Sequence, residues 1–268
     1  MYSFSYFRPS TIDEVMSIMT DDEDSKLLAG GQTLIPTMKQ RLAAPGRIVD
    51  LGSVEGLRGI HLQDGSLIIK AMTIHADVAN SPVVRKAIPG LASLAGGIGD
   101  PAVRNRGTIG GSVANNDPAA DYPSACLALG ATVVTNLRHI HAEEFFVGMF
   151  ETALEANEII LEFNFPIPRK SAYAKFPNPA SRYALVGVFV ADVDSEVHVA
   201  VTGAGMNGVF RAVELEAALA ERFEPEALEN VSVTSDDLVG DIHASAEYRA
   251  EMVRVMAQRA VSAALVSS

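Results

Sequence analysis

Residues 106–122 read RGTIGGSVANNDPAADY, and the rest of the chain has to be arranged around them. Gly107, Gly110 and Gly111 strip side chains from a five-residue window, while Thr108, Ser112, Asn115, Asn116 and Asp121 supply hydrogen-bonding groups. Helix-like apolar stretches flank the segment on both sides. Polar groups in buried surroundings need partners, and glycines permit positive φ and close backbone approach. The segment therefore reads as a surface loop rich in turn residues or as a backbone lying against a large polar ligand.

At 268 residues the chain can form one large domain or two to three smaller ones. Hydrophobic residues at 48% and charged residues at 20% indicate a globular protein rather than a disordered one. A net charge of −12 with no basic run argues against nucleic acid and anionic membrane as partners. Cys126 is the single cysteine. It cannot form an internal disulfide, and this chain alone cannot hold an iron–sulfur cluster or a cysteine zinc site. MYSFSYFRPST lacks a basic stretch followed by an apolar one, and no apolar run reaches the roughly 20 residues of a membrane span. The expected location is the cytoplasm, with peripheral membrane contact only through a larger complex.

Outward from the quoted segment, the pattern alternates irregularly between strands and helices. YFRPSTIDEVMSIMTD reads as a short strand and a helix capped by Ser10 or Thr11, with Asp13 and Glu14 in its first turn. KLLAG is a strand broken at Gly30–Gly31, followed by a helix that ends before Pro45, and RIVDL is a buried strand. LRGIHLQDGSLIIKAMT is a hairpin about Asp64–Gly65. Helices interrupted by proline lead into residues 106–122. After them come a helix and a strand in DYPSACLALGATVVT, a helical piece in EEFFVGMFETAL, and the strand NEIILEFNFPIP. Pro166 and Pro168 mark the main domain boundary. Two strands, YALVGVFVADV and EVHVAVTG, and the helix RAVELEAALAERF follow. The last helix runs from Ala246 to about Val266, with Met252, Val255, Met256, Arg259 and Ala263 at helical spacing as core or subunit contact. Without regular βαβ alternation, the fold class is α+β.

Three glycine loops could cradle a phosphate. Ala29–Leu34 (AGGQTL) lies where a strand enters and a helix leaves, so its N–H groups could face an anion; the alternative is an ordinary strand-to-helix turn. The segment from Thr108 is the second. The third, Gly203-x-Gly205-x-x-Gly208, follows a strand and precedes a helix, with Glu221 farther on, as in a dinucleotide fingerprint. Only about 60 residues follow it, too few for a full Rossmann half, and Phe210 and Arg211 stand where a pyrophosphate would approach. Gly97-x-Gly99-x-x-Ala102 follows a helix and is discounted.

AGGQTLIPTMKQRL together with GDPAVRNRGTIGGSVANNDPAADYPSACLALGA resembles the FAD-binding medium subunit of molybdenum hydroxylases. This is the xanthine dehydrogenase superfamily, and the likeness is closer to its carbon monoxide dehydrogenase branch. It continues through FFVGMFETAL, YAKFPNPASRYALVGVFVA, VAVTGAGMNGVFRAVELE and GDIHASAEYRAEMVRVMAQRA, covering nearly the whole chain in order.

The resemblance implies a two-subdomain FAD-binding fold of the vanillyl-alcohol-oxidase (PCMH) type over residues 1–167, divided at about residue 55. A small α/β domain like that of the carbon monoxide dehydrogenase flavoprotein would span 168–268. It implies that Ala29, Gly30, Gly31, Gln32, Thr33 and Leu34 wrap the FAD pyrophosphate through backbone N–H groups. Thr108, Ile109, Gly110, Gly111 and Ser112 would form a second wall, with Asn115 and Asp121 on ribityl or phosphate oxygens. Leu161 would touch the adenine or flavin side, and Lys175 and Tyr183 would approach the isoalloxazine. The TGAG…GVFR segment then belongs to the C-terminal domain.

The function so implied is a non-covalent FAD carrier. It would relay electrons from [2Fe–2S] clusters of a small subunit to an external acceptor, substrate being oxidised at a molybdopterin cofactor on a large subunit. The assembly would be a dimer of such heterotrimers. No general base or metal set stands out in this chain. His139 and His141 read as a half-exposed strand, His198 as a satisfied core histidine, and Cys126 as inert packing. Asp100, Arg104 and Asn105 would hold loop geometry. The rival readings are an independent flavin oxidase of the same fold, and an NAD-dependent dehydrogenase using Gly203–Gly208.

Overall fold

The computed structural model describes residues 1–22 and 24–266. The chain opens with β1 (Ser5–Phe7), α1 (Ile12–Asp21), β2 (Ser25–Leu28), α2 (Leu34–Lys39) and β3 (Arg47–Asp50). These strands form a parallel sheet in the order β1–β3–β2. The local sequence starts α1 where expected. The Thr11 hydroxyl accepts from the Glu14 N–H at 3.2 Å, and the Glu14 carboxylate accepts from the Ser10 N–H at 2.7 Å, which ties the entering chain to the first turn. Val15 of α1 packs with Val49, Leu51, Leu57, Met72 and Ile159 in a small core of its own.

Next come β4 (Ile60–Gln63), β5 (Ser66–Lys70), α3 (His75–Asn80), α4 (Pro82–Ala87), α5 (Pro89–Gly96), α6 (Pro101–Arg104), α7 (Ile109–Asn115) and α8 (Tyr122–Ala128). They are followed by β6 (Thr132–Thr135), β7 (His139–His141), α9 (Ala142–Phe145), β8 (Phe146–Gly148), β9 (Glu151–Thr152) and β10 (Ile160–Pro166). Five strands make an antiparallel sheet in the order β4–β5–β10–β6–β7, and β8 pairs with β9 apart from it. Asp64 and Gly65 both take positive φ (50° and 78°), as a two-residue hairpin turn requires. Pro82, Pro89 and Pro101 each open a helix, where a missing N–H costs nothing, and so divide one apolar stretch into short pieces.

The last part contains β11 (Lys170–Pro177), β12 (Ala184–Val193), β13 (Glu196–Thr202), β14 (Phe210–Arg211), α10 (Val213–Glu221) and α11 (Ala246–Val266). Its antiparallel sheet has the order β11–β12–β13–β14. One face carries α10 and α11, through Val186, Val188, Val199, Leu215, Val253 and Met256. The other face sends Phe189, Ala191 and Ala200 into the core built by Leu91, Ile109, Cys126 and Phe163. The two antiparallel sheets therefore share one apolar core across the α5 and α8 layer. Gly90 of α5 sits so close to β11 that a methyl group on it would lie 2.9 Å from the Ala172 backbone.

Four local expectations need correction. Residues 109–115 are a helix, not a loop. Thr108 caps it from extended backbone, and Ile109 and Val113, four residues apart, are buried under it. EEFFVGMFETAL gives one helical turn and then a hairpin, because Asn116 bonds both β8 and β9 (below). Lys170–Pro177 is a strand that lacks a simple alternation, since α5 covers one of its faces and α11 the other. The buried stripe of α11 is Arg249, Val253, Met256, Ala260 and Ala264, whereas Arg259 and Ala263 face out; the Ala and Met repeat leaves the face ambiguous by one residue.

Arg249 fastens this last helix to the sheet. Its side chain is 3% exposed, and it donates to the Leu185 and Gly203 carbonyls and to Asp241. Replacing it by leucine leaves two part-buried carbonyls without this donor. Arg249→Leu is expected to cost about 3 kcal/mol of unfolding free energy, measured as a lowered urea midpoint with an unchanged slope.

Candidate functional site

The first two glycine loops are seated on each other. A methyl group on Gly30 would lie 2.3 Å from the Arg106 carbonyl oxygen and 2.7 Å from the Gly107 Cα. One on Gly111 would meet the Ala29 Cβ at 3.2 Å, and one on Gly110 the Ala71 carbonyl oxygen at 2.7 Å. The glycines thus serve contact between protein backbones, which moves their role from the space of the ligand to the joint behind it. Gly31 differs: its φ of 71° bends the first loop away from β2.

The donors are divided unevenly. In the second loop the N–H groups of Ile109, Gly110, Gly111 and Ser112 are spent on Thr73 O, Ala71 O, Thr108 Oγ1 and Thr108 O at 2.8–3.1 Å. In the first loop no N–H from Ala29 to Leu34 has an acceptor among the described residues; the first bonded one is Ile35, to Gly31 O at 3.2 Å. Six successive donors on a half-buried segment that bends at Gly31 are thus left open to an anion. With only six residues, α2 adds little dipole behind it. On α7 the side chains of Ser112 and Asn115 hold no hydrogen bond among the described residues.

Asp121, at the end of the same segment, is 5% exposed. It accepts from the Tyr173 hydroxyl, and the Lys175 ammonium sits 3.0 Å away. Burial pushes the Asp121 carboxyl up, and Lys175 and Tyr173 oppose that rise. Lys175 also donates to the Gly97 carbonyl at 2.8 Å, so its charge is fixed in place. Tyr183 is half exposed; partial burial and then the Asp117 and Asp121 carboxylates raise its phenol. Leu161 lies with Leu27 and Ala29 at the edge of the small N-terminal core, and its carbonyl accepts from the Ala71 N–H at 2.9 Å. The expected residues therefore form two groups, one at Ala29–Leu34 with Thr108–Ser112 and Leu161, the other at Asp121, Lys175 and Tyr183. Residues 113–121 connect them.

The remaining motifs stay apart from this line. Asp100 caps α6 through the Val103 N–H at 2.9 Å, Arg104 donates to the Ile98 carbonyl at 2.9 Å, and Asn105 donates to Pro101 at 2.7 Å. His198 Nδ1 is bonded to the Ala128 carbonyl at 2.9 Å. His139 and His141 lie exposed on β7, and no cluster of three metal-ligating side chains occurs among the described residues. Cys126 is buried and its thiol is pushed well up. Gly203–Gly208 is a turn between antiparallel strands, with α10 starting only at Val213. Gly203 donates to the Pro118 carbonyl at 2.8 Å, so this motif docks onto residues 113–121 instead of opening a dinucleotide site. A recess of about 490 Å³ opens among α3, α5 and α6, lined by small residues with Arg85 and Arg104. Both arginines are already bonded to main-chain carbonyls.

No sequence motif pointed to His75, Tyr122 or Tyr173. His75 is buried beneath the second loop; its ring lies 5.3 Å from that of Tyr122, and a methyl on Gly107 would sit 2.5 Å from its Nε2. Burial, with the Arg104 charge adding, lowers its pKa to about 4. A single histidine in an otherwise helical stretch carries no pattern that could reveal this.

Residues 2–168 match the sequence family described as the FAD binding domain in molybdopterin dehydrogenase. The nicotine 6-hydroxylase medium subunit of Paenarthrobacter nicotinovorans is 37% identical over 96% of this chain and 95% of its own. The carbon monoxide dehydrogenase medium chain of Hydrogenophaga pseudoflava is 32% identical over 97% and 96%. Among solved structures, reconstituted CO dehydrogenase from Oligotropha carboxidovorans contains a chain that superposes with a TM-score of 0.89 at 30% identity, covering 100% of this chain and 99% of that one.

Two measurements check this site. Gly30→Ala should force the loops apart and release FAD, lowering the flavin content per chain after gel filtration. Gln32→Ala should retain FAD, since that residue is exposed and the substitution leaves its backbone N–H in place. For His75, the unfolded ring protonates near 6.5 and the folded one near 4. Between those values only the unfolded chain binds the extra proton, so stability is full above 6.5 and falls as pH drops towards 4. The loss reaches about 3 kcal/mol. His75→Gln should flatten that part of the profile of urea midpoint against pH.

Proposed function

The chain belongs to the family of FAD-binding domains of molybdopterin dehydrogenases and is an FAD-binding subunit of a molybdenum hydroxylase-type oxidoreductase; on that premise we propose that it relays electrons from [2Fe–2S] clusters of a small subunit, through FAD, to an external acceptor. In this reading a large subunit carries the molybdopterin cofactor and meets the substrate. The three subunits pair as a dimer of heterotrimers. The names of the relatives, a medium subunit and a medium chain, support a place between a smaller and a larger partner.

The observation that carries the reading is the run of unspent N–H groups from Ala29 to Leu34, closed behind by Gly107–Gly111. These donors would hold the FAD pyrophosphate without a cation. Thr108–Ser112 would be a wall rather than a donor set. Asn115 would reach the ribityl chain, Leu161 the adenine or flavin side, and Asp121, Lys175 and Tyr183 the ring. The Lys175–Asp121 pair would set a fixed polar edge beside that ring. When bound, FAD supplies the redox chemistry, held by hydrogen bonds and packing and not by a covalent bond. The boundary at Pro166–Pro168 would separate the FAD-binding domain, 1–167, from a C-terminal domain, 168–268, that covers the ring side. Among the described residues no helix is long and apolar enough to cross a membrane, and a cytoplasmic complex is the location that fits this reading.

An independent flavin oxidase would use the same loops. It is less well supported, because both faces of the C-terminal sheet are spent on apolar packing.

The test compares the whole complex with a preparation lacking the small subunit. Substrate is added to each and bleaching of the flavin bands is followed. Bleaching should be fast in the complex and absent without the small subunit. Rapid bleaching without it, or turnover by this chain alone, would overturn the relay.

A further inference from the structure

Among α3, α5 and α6 the surface opens into a recess of about 490 Å³, within the size range of small-molecule sites. Its walls are small residues, Ala76 and Ala79 of α3 and Ala92 and Gly96 of α5. A methyl group on Gly96 would stand 3.8 Å from the Ala79 Cβ, so the two helices approach closely there. Arg85 of α4 and Arg104 of α6 also line the recess, with Ser93 of α5.

Both arginines are anchored by neutral acceptors. Arg85 donates from Nε to the Ala79 carbonyl at 2.9 Å and from Nη2 to the Asn80 side-chain carbonyl at 3.0 Å. Arg104 donates from Nη1 to the Ile98 and Gly99 carbonyls at 2.9 Å and 3.0 Å. Arg47, Arg138 and Arg211 each meet an acid, but among the described residues neither Arg85 nor Arg104 forms an ion pair. No carboxylate lines the recess. The acids on the neighbouring elements are placed otherwise: Asp100 caps α6 through the Val103 N–H at 2.9 Å, and Asp77 lines a separate hollow with Gly59 and Thr73. Arg85 Nη1, Arg104 Nε and Nη2, and the Ser93 hydroxyl hold no hydrogen bond among the described residues.

A guanidinium already fixed by carbonyls loses little freedom when its spare N–H groups meet an anion, and the bonds it then makes are charge-assisted. Two such groups on one recess, with no acid to neutralise them, favour an oxyanion over a cation or an uncharged ring. We propose that this recess binds a small molecule bearing a phosphate or carboxylate group, the oxyanion meeting Arg85 and Arg104 and the rest of the molecule lying against the alanine and glycine walls. None of Ala29–Leu34 lines the recess, so it is a second anion site beside the one assigned to the FAD pyrophosphate.

The test titrates inorganic phosphate and, separately, malonate into the FAD-loaded full chain and into the assembled complex, followed by calorimetry at an ionic strength that screens loose surface attraction. Three variants are compared. Arg85→Gln removes one charge from an exposed residue, Ser93→Leu fills the recess without changing charge, and Lys86→Gln removes a neighbouring exposed charge that does not line it. Melting temperatures are measured first, and all three should keep the wild-type value. Saturable binding of at least one of the two anions is expected, and which of them binds more tightly identifies the group. Affinity should fall about tenfold or more in Arg85→Gln and in Ser93→Leu and stay unchanged in Lys86→Gln. No saturable binding of either anion overturns the proposal, as does wild-type affinity in both recess variants. An equal loss in Lys86→Gln overturns it too, because the attraction would then be that of the surface at large. So does binding by the chain alone that vanishes in the complex, which would make the recess a seat for a partner subunit.

Discussion

The Arg106 carbonyl oxygen occupies the place where a side chain on residue 30 would stand. That contact joins two segments nearly eighty residues apart, and much else follows from it. It presses the exit of β2 against the start of α7, so the N-terminal parallel sheet is fixed relative to the five-stranded sheet. The bonds of Ile109 and Gly110 to Thr73 and Ala71 then anchor α7 to the end of β5. The second loop spends its donors on this anchorage, which leaves the first loop as the bearer of free N–H groups. A close glycine joint and an unsatisfied donor run are two sides of one arrangement: rigidity behind, hydrogen-bonding capacity in front.

From that joint, residues 113–121 run as a spine to which the other parts attach. Thr202 at the end of β13 donates to the Ala120 carbonyl at 2.6 Å, and Gly203 donates to Pro118. Asn116 carries the β8–β9 hairpin. Asp121 binds Tyr173 and Lys175 of β11, linking the spine to the edge strand of the C-terminal sheet. A buried carboxylate with only one of these partners would be costly; the pair of them, with the shared apolar core, makes the arrangement tolerable. The groups assigned to the two ends of FAD are thereby held at a fixed separation by a single short stretch of chain.

This layout suits a subunit that passes electrons on. The thiol of Cys126 is raised and buried, His75 is neutral and enclosed, and His198 is bonded to a carbonyl. What the chain offers is placement. The cofactor's own chemistry does the rest, and the protein decides which surfaces of it face partners, acceptor or solvent.

The sequence by itself determined the local events. Caps, turn pairs and prolines act within a few residues, so Thr11, Asp64–Gly65 and Pro82, Pro89 and Pro101 start or break elements as expected. Its two glycine loops were also specific enough, taken together, to indicate the family and the cofactor. Tertiary structure decided what those glycines touch, because a glycine's sequence shows only that a side chain is absent, not whether backbone or ligand fills the space. It also turned residues 109–115 into a helix by burying Ile109 and Val113, and residues 146–152 into a hairpin by way of Asn116. It tied Lys175 to Asp121, and it hid His75 beneath Gly107. Each of these depends on contacts between segments far apart in the chain, and short-range pattern holds no information about such contacts.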